Sequence, residues 1–290
     1  DILDIQKAKT ILDKNHYGLT EIKDRILEYI AVLKLSKAFS ADTLDSIDVT
    51  KRAPILLFVG LVGAGKTTIA AAIAEAMGRK FIRIPFGGLG SARELRGQSR
   101  AFPDAEPGLI IKAILRAGTK NPVVLFDELD RVTADARADI MGVLVELMDP
   151  EQNKAFVDHY VDYPINLSEV LFIGTSNKTD DIAQAVMDRF EPIRMPFYND
   201  KEKIEIGRNY MLPKIMKASG LQPNQLIIQD PAWPSIIRPT GYDPGMRSLE
   251  RTITGICRKV AKLVVEGKVQ TATVTPENLR EFIHVDINIY

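Results

Sequence analysis

Cysteine is nearly missing from this chain. Cys257 stands alone among 290 residues, so no intramolecular disulfide can form, and a reducing compartment fits. It lies in an apolar helical pattern, which predicts a buried, inert thiol. Histidine is scarce too: His16, His159 and His284 are far apart and form no metal-ligand spacing. No apolar run approaches the roughly 20 residues of a membrane-spanning helix. Neither sign of charge is in excess, with 38 Lys and Arg against 38 Asp and Glu; a basic nucleic-acid or membrane-surface protein is not the expectation. With Gly 19 and Pro 16, low-complexity and collagen-like classes are excluded. The opening DILDIQKAKT has no Met, signal core or basic transit segment, and reads as the start of an internal fragment.

What is present is ordinary for a globular protein: 46% hydrophobic and 26% charged residues, enough for one large or two modest domains. Ile22, Ile26, Ile30 and Leu33 space an amphipathic helix over Ile22–Ala38, followed by a polar loop over Ser40–Arg52. Short apolar strands then alternate with helices. The strand candidates are Ile55–Val59, Phe81–Ile84, Val123–Phe126, Val170–Gly174 and Ile193–Met195. Unbroken apolar runs of this length indicate a parallel sheet covered on both faces, hence a three-layer α/β domain. Beyond Asn199 the pattern turns helical, over Lys201–Ser219, Pro231–Arg238 and Met246–Gly267. A short strand at Thr271–Val274 follows, and Thr275 is placed to cap a last helix with Pro276 in its first position. The division expected is residues 1–199 as the α/β nucleotide-binding domain with its helical lead-in, and residues 200–290 as a small helical domain.

Gly60-Leu61-Val62-Gly63-Ala64-Gly65-Lys66-Thr67 fits G-x-x-x-x-G-K-[ST], with an apolar strand before it and a helix over Thr67–Met77 after it. Glycines there let backbone N–H groups curl around a phosphate at a helix N-terminus. Lys66 reaches the β and γ oxygens of a nucleotide, and the Thr67 hydroxyl suits Mg²⁺. Val123 to Phe126 ends in Asp127 and Glu128: one carboxylate to hold Mg²⁺, the next to polarise an attacking water. Phe172 to Ser176 leads to Asn177, either a turn former or an amide that orients that water. Arg189, at the end of a predicted helix, is a helix-terminal cation or a finger for a neighbouring subunit's phosphate. Arg247, opening the long helix after Gly245 and Met246, faces the nucleotide or is a plain first-turn charge.

This order of motifs resembles the AAA+ ATPases, and further segments narrow the likeness to the ATPase module of Lon proteases. They are His16-Tyr17-Gly18-Leu19 with Ile22 to Tyr29, Gly87-Gly88, Arg96-Gly97, Pro107-Gly108, Ala117 to Pro122, and above all Asp149-Pro150-Glu151-Gln152-Asn153 with His159-Tyr160. The matches run almost end to end. The resemblance implies an AAA+ P-loop fold, a three-layer parallel-sheet domain followed by an α-helical lid. It implies a homo-oligomeric ring, six-membered in the family, that uses ATP and Mg²⁺ to unfold damaged or unfolded proteins and thread them to a serine–lysine peptidase. That peptidase would follow the lid and lie outside a chain that stops at Tyr290.

Carried over residue by residue, Gly60, Gly63, Ala64, Gly65, Lys66, Thr67, Thr68 and Asp127 hold the nucleotide, with Thr67 and Asp127 on Mg²⁺. Glu128 acts on water, Asn177 is the first sensor, Arg189 the finger supplied in trans, and Arg247 the second sensor. Tyr17 falls where the family packs the adenine, or is a staple at a helix entrance. Phe102 falls at the substrate-gripping position of the pore loop, or is an ordinary loop anchor. Pro103 stands where an aliphatic partner is usual. Leu61-Val62 replaces Pro-Pro, Gly90-Ser91-Ala92-Arg93 replaces a more acidic stretch, and Arg137 to Ile140 lacks a Gly and Pro near the second pore loop. Gly97 to Ala101 misses the last glycine of G-x-S-x-G, so no peptidase serine is assigned.

The competing expectation is a nucleotide-gated scaffold ring with little turnover. A nucleic-acid motor ranks behind both, because Ala101 to Gly108 carries Asp104 and Glu106 and no Lys or Arg. The expected compartment is the cytoplasm or the mitochondrial matrix.

Overall fold

The computed structural model describes residues 4–42, 55–238 and 246–283. Gly245, His284 and the expected loop beyond Asp42 lie outside them. Two compact units emerge: residues 1–60 with 65–195, and residues 61–64 with 196–290. Among the described residues no helix is long and apolar enough to cross a membrane.

The first unit opens with α1 (Ile5–Asn15), capped by the Asp4 carboxylate on the Gln6 and Lys7 amides. A bend at Tyr17 and Gly18 leads to α2 (Thr20–Asp42), so residues 40–42, expected in a loop, extend the helix. The sheet consists of β1 (Ile55–Val59), β2 (Phe81–Pro85), β3 (Val123–Asp127), β6 (Leu171–Ser176) and β7 (Phe190–Arg194), all parallel, in the order β2-β3-β6-β1-β7. Between them lie α3 (Lys66–Ala76), α4 (Arg93–Arg96), α5 (Leu109–Ala117), α6 (Arg137–Met148), a two-residue hairpin pair β4 (Phe156–Val157) and β5 (Pro164–Ile165), and α7 (Gln184–Met187).

Burial explains the order. Every residue of β3 and β6 is buried, as interior strands require, whereas β2 and β7 mix buried and exposed positions. Pro192 lacks an N–H and therefore belongs on an edge strand; β7 is that edge. Glu191 and Pro192 interrupt the apolar run, so periodicity places this strand three residues too late. The β6 strand runs two residues past its apolar stretch, through buried Thr175 and Ser176. Helix α3 buries Ile69 and Ile73 with four alanines. Helices α5 and α6 bury Ile110, Ile111, Ile140, Leu144 and Leu147 in a core around Phe86, Phe126 and Phe172.

The second unit contains α8 (Asp200–Ile206), a π turn (Gly207–Met211), α9 (Leu212–Ala218), β8 (Leu226–Ile228), α10 (Trp233–Ile237), α11 (Arg247–Val265), β9 (Ala272–Val274) and α12 (Leu279–Phe282). The single helix expected over Lys201–Ser219 starts with a capping box, Asn199 with Glu202. It runs unbroken to Ala218 but widens into the π turn, because Pro213 has no N–H for the regular ladder. Strand β8, missed by sequence, pairs in parallel with β9. The last helix begins at Leu279 rather than Pro276. Thr275 and Asn278 instead close a turn, the Thr275 amide donating to Asn278 Oδ1 at 2.8 Å. Helix α11 buries Leu249, Ile253, Ile256, Cys257 and Val260 against Trp233, Ile236 and Phe282. Cys257 is a free, buried thiol with its pKa pushed up to about 11 by burial, in line with the inert role expected.

Candidate functional site

In a parallel sheet, ligands are taken at the carboxyl ends of the strands, where connections diverge. Here β1 delivers Gly60, β3 delivers Asp127 and Glu128, and β6 delivers Asn177 to that edge. The loop after β1 turns tightly. Gly63 and Gly65 have φ of +86° and +90°, a region closed to most side chains. A Cβ on Gly60 would sit 2.9 Å from that of Met195, so this position has no room for one.

Lys66 is buried. Its ammonium donates to the Gly60 carbonyl at 2.5 Å and to Asn177 Oδ1 at 3.1 Å. Asn177 is oriented by a residue that sequence reasoning missed. Asp130 accepts from the Asn177 amide and from its Nδ2, each at 3.1 Å. The only hint was its place two residues after Glu128, on the 3₁₀ turn Leu129–Arg131.

Thr67 Oγ1 lies 3.5 Å from Asp127 Oδ1, and Asp127 is almost fully buried. The same carboxylate accepts from Thr175 Oγ1 and pairs with Arg83 Nε at 2.5 Å. Thr175 also accepts from the Glu128 amide at 3.0 Å, holding the Asp127–Glu128 step in place. Arg83 and Thr175 were not among the residues expected here. Glu128 adopts a left-handed backbone, φ +62°, and its Oε2 lies 3.4 Å from Arg131. Such strain in a non-glycine residue is typical of functional positions.

A hydroxyl and a carboxylate this close beside phosphate-ready amides are a hard-oxygen donor set. They fit Mg²⁺, which takes few protein ligands and completes its shell with phosphate and water. Among the described residues no group of three or more His, Cys, Asp or Glu is placed to hold a metal ion.

Of the remaining expected residues, Arg247 lies against the loop, its amide 3.3 Å from where a Cβ on Gly63 would sit. Tyr17 is half-buried in the α1–α2 bend, and Thr68 is exposed on the first turn of α3. Thr68 Oγ1 is within 2.9 Å of buried His16. Arg189 donates to the Ala185 carbonyl at 2.9 Å and reaches Asp149 Oδ2 at 3.4 Å. Burial raises the Asp149 pKa, but the Glu151 and Gln152 amides and Arg189 outweigh it and hold it below the usual carboxylate value. In the second unit, Arg247 lines a cleft of about 500 Å³ with Arg251, Arg258, Glu250 and Thr254.

Phe102 is 52% exposed, which removes the buried-anchor alternative, and Pro103 beside it is exposed as well. Their loop closes at a neck. A Cβ on Gly108 would meet the Leu95 carbonyl at 2.0 Å, and one on Gly97, φ +74°, the Asp158 carboxylate at 2.7 Å. Asp158, fully buried, accepts from the amides of Gly108, Tyr160 and Val161. Above the neck, Arg100 stacks on Tyr160 and donates to its carbonyl at 2.8 Å.

The family model for the ATPase family associated with various cellular activities (AAA) matches residues 56–196. That for the Lon protease AAA+ ATPase lid domain matches residues 217–273. A Lon protease of Lawsonia intracellularis is 45% identical over 285 residues, 98% of this chain and 33% of its own length. A Lon protease 2 of Thermus thermophilus is 42% identical over 283 residues, 98% of this chain and 35% of its own length. A Lon protease of Clostridioides difficile is 42% identical over 291 residues, 100% of this chain and 36% of its own length. The chain thus spans about a third of the length of the curated relatives it matches.

Proposed function

The chain belongs to the AAA+ ATPases and is the ATPase module of the Lon protease type, and from that premise we propose that it hydrolyses ATP with Mg²⁺ to unfold and thread protein substrates. Residues 1–199 are read as the nucleotide-binding domain and residues 200–290 as the lid. The observation that carries the reading is the meeting of Lys66 with Asn177, and of Thr67 with Asp127, at one edge of the sheet.

Each residue has a task in this proposal. The loop amides from Gly60 to Thr68 cradle phosphates, and Lys66 neutralises the charge that shifts during phosphoryl transfer. Thr67 and Asp127 would hold Mg²⁺, which when bound draws charge from the β and γ oxygens. Glu128 takes a proton from the attacking water, and Asn177, fixed by Asp130, orients that water. Arg189 meets the phosphate of a neighbouring subunit in a homo-oligomeric ring, six-membered by family analogy, and Arg247 contacts nucleotide from the lid. Tyr17 packs the adenine. Phe102, projecting from the braced loop beside Pro103, grips an extended polypeptide; ring packing on a chain tolerates any sequence. The compartment proposed is the bacterial cytoplasm, and the acceptor a serine peptidase domain of the parent protein.

The test is steady-state ATP turnover against protein concentration, with and without an unfolded polypeptide, using Glu128→Gln as the blank. A steep rise with concentration, further stimulation by polypeptide and loss in Glu128→Gln are the expected results. Blank-level turnover despite tight ATP binding overturns the motor reading and favours a nucleotide-gated scaffold.

A further inference from the structure

His16, at the end of α1, is 7% exposed. Its Nε2 lies 2.9 Å from Thr68 Oγ1, which donates in turn to the Gly65 carbonyl at 2.8 Å. A carbonyl can only accept, so the one hydroxyl proton of Thr68 is committed to Gly65, and Nε2 must carry the proton that Thr68 receives. This fixes a single tautomer: Nε2–H donates, and Nδ1 holds the lone pair, buried with no partner. A second proton would put a buried cation near Lys23, whose ammonium bonds the His16 carbonyl at 2.7 Å. Burial, with Lys23, accordingly lowers the imidazole pKa to about 4.

Gly65 is the last loop residue before α3, and its carbonyl also accepts from the Ile69 amide at 2.9 Å. With both bonds made, the Gly65 carbonyl is locked into the first helical turn. The peptide is planar and trans, so the Lys66 N–H points the opposite way, off the helix N-terminus. The imidazole also lies against the loop, since a Cβ on Gly65 would be 3.9 Å from His16 Cδ2. Its support is firm: α1 buries Ala8 and Leu12, and Asn15 donates to Glu75 of α3 at 3.2 Å.

We propose that His16 is a positioning residue for the phosphate loop, holding the Gly65–Lys66 peptide in the orientation that offers the Lys66 amide to a nucleotide phosphate. The helical segment before the sheet is then part of the nucleotide-binding apparatus. The proposal rests on the reading of this loop as a nucleotide site.

The test is the affinity of the 290-residue chain for fluorescent ADP. It compares wild type, Lys66→Ala, His16→Leu, His16→Gln, Thr68→Val and the His16→Leu/Thr68→Val double variant, with thermal melting of each to establish folding. Glutamine carries an amide N–H to about the reach of Nε2. Loss of the relay is expected to weaken ADP about tenfold in His16→Leu and in Thr68→Val. The double variant should be no weaker than either single, and His16→Gln should return to within about threefold of wild type. A merely structural histidine would lower melting and leave affinity alone. Folded His16→Leu binding within about twofold of wild type, additive losses in the double variant, or glutamine failing as leucine does would each overturn the proposal. If His16→Leu does not fold, Thr68→Val and His16→Gln decide by the same criteria. Equal ADP binding by wild type and Lys66→Ala refutes the nucleotide reading itself, a failure distinct from that of His16.

Discussion

Lys66 and Asn177 meet side chain to side chain, Nζ donating to Oδ1 at 3.1 Å, with Asp130 clasping the amide from its far side. The first residue of α3 is thereby tied to the residue after β6. Removing the clasp should leave the pocket intact and the amide adrift. Asp130→Ala is expected to lower kcat for ATP about tenfold with KM changed less than about threefold, since one preorganised group is worth more than this when lost outright. Asp130→Asn, which keeps one acceptor oxygen, should fall between. A pure KM effect in initial-rate measurements would assign Asp130 to binding instead.

Glu128→Gln preserves shape and removes the proposed base. Turnover should fall by about 100- to 10,000-fold while ATP affinity stays near wild type. Phosphate release alongside equilibrium binding checks it; retained turnover means that another group takes the proton.

Arg189, bonded to its own chain at Ala185 and Asp149, is proposed to serve a neighbour. Arg189→Ala and Lys66→Ala chains should each be inactive, by about 1,000-fold for the arginine. Mixed, they should regain a fraction of wild-type turnover, because one supplies the finger and the other the loop. Mixtures no more active than their parts would confine Arg189 to its own subunit.

His16 also sets a pH dependence. Its folded pKa, about 4, lies below the unfolded value of 6.5, so the unfolded chain binds the proton more readily. Stability should therefore decline as pH falls from about 6.5 to 4, by roughly 3 kcal/mol in total. Urea midpoints across this window should show a decline that is blunted in His16→Gln, which has no such proton to take up.

At the loop neck, Asp158→Ala would strand three backbone amides that the carboxylate now satisfies. A loss of about 3 kcal/mol is expected. Gly108→Ala, with no space for a methyl group against Leu95, should cost about as much. Melting temperatures of both variants measure it; a shift of under 1 °C would mean the neck opens freely.

Interior strands were legible because long buried apolar runs admit little else: Ile55–Val59 emerges residue for residue. Edge strand β7 was blurred by Glu191 and Pro192, and β8 hid because three residues with a distant partner carry no period. At the candidate site, spacing found Lys66, Thr67, Asp127, Glu128 and Asn177, which adjoin strand ends. It missed Asp130, Thr175, Arg83 and His16, whose place depends on which strands lie side by side and how helices pack on them. No single segment contains that information. The π turn was equally hidden, although Pro213 marks where a regular helix had to yield.

The closed neck of the 97–108 loop separates two kinds of inheritance. The domain core meets this segment through Gly97, Gly108, the Asp158 carboxylate between them and the pairing of Glu106 with Lys112 of α5 at 2.8 Å, while Arg100 rests on Tyr160. Residues 101–105 are therefore an exchangeable cartridge. Their composition can drift, be grafted from another protein or be lengthened at only about 0.6 kcal/mol per doubling, with the sheet and its phosphate loop left undisturbed.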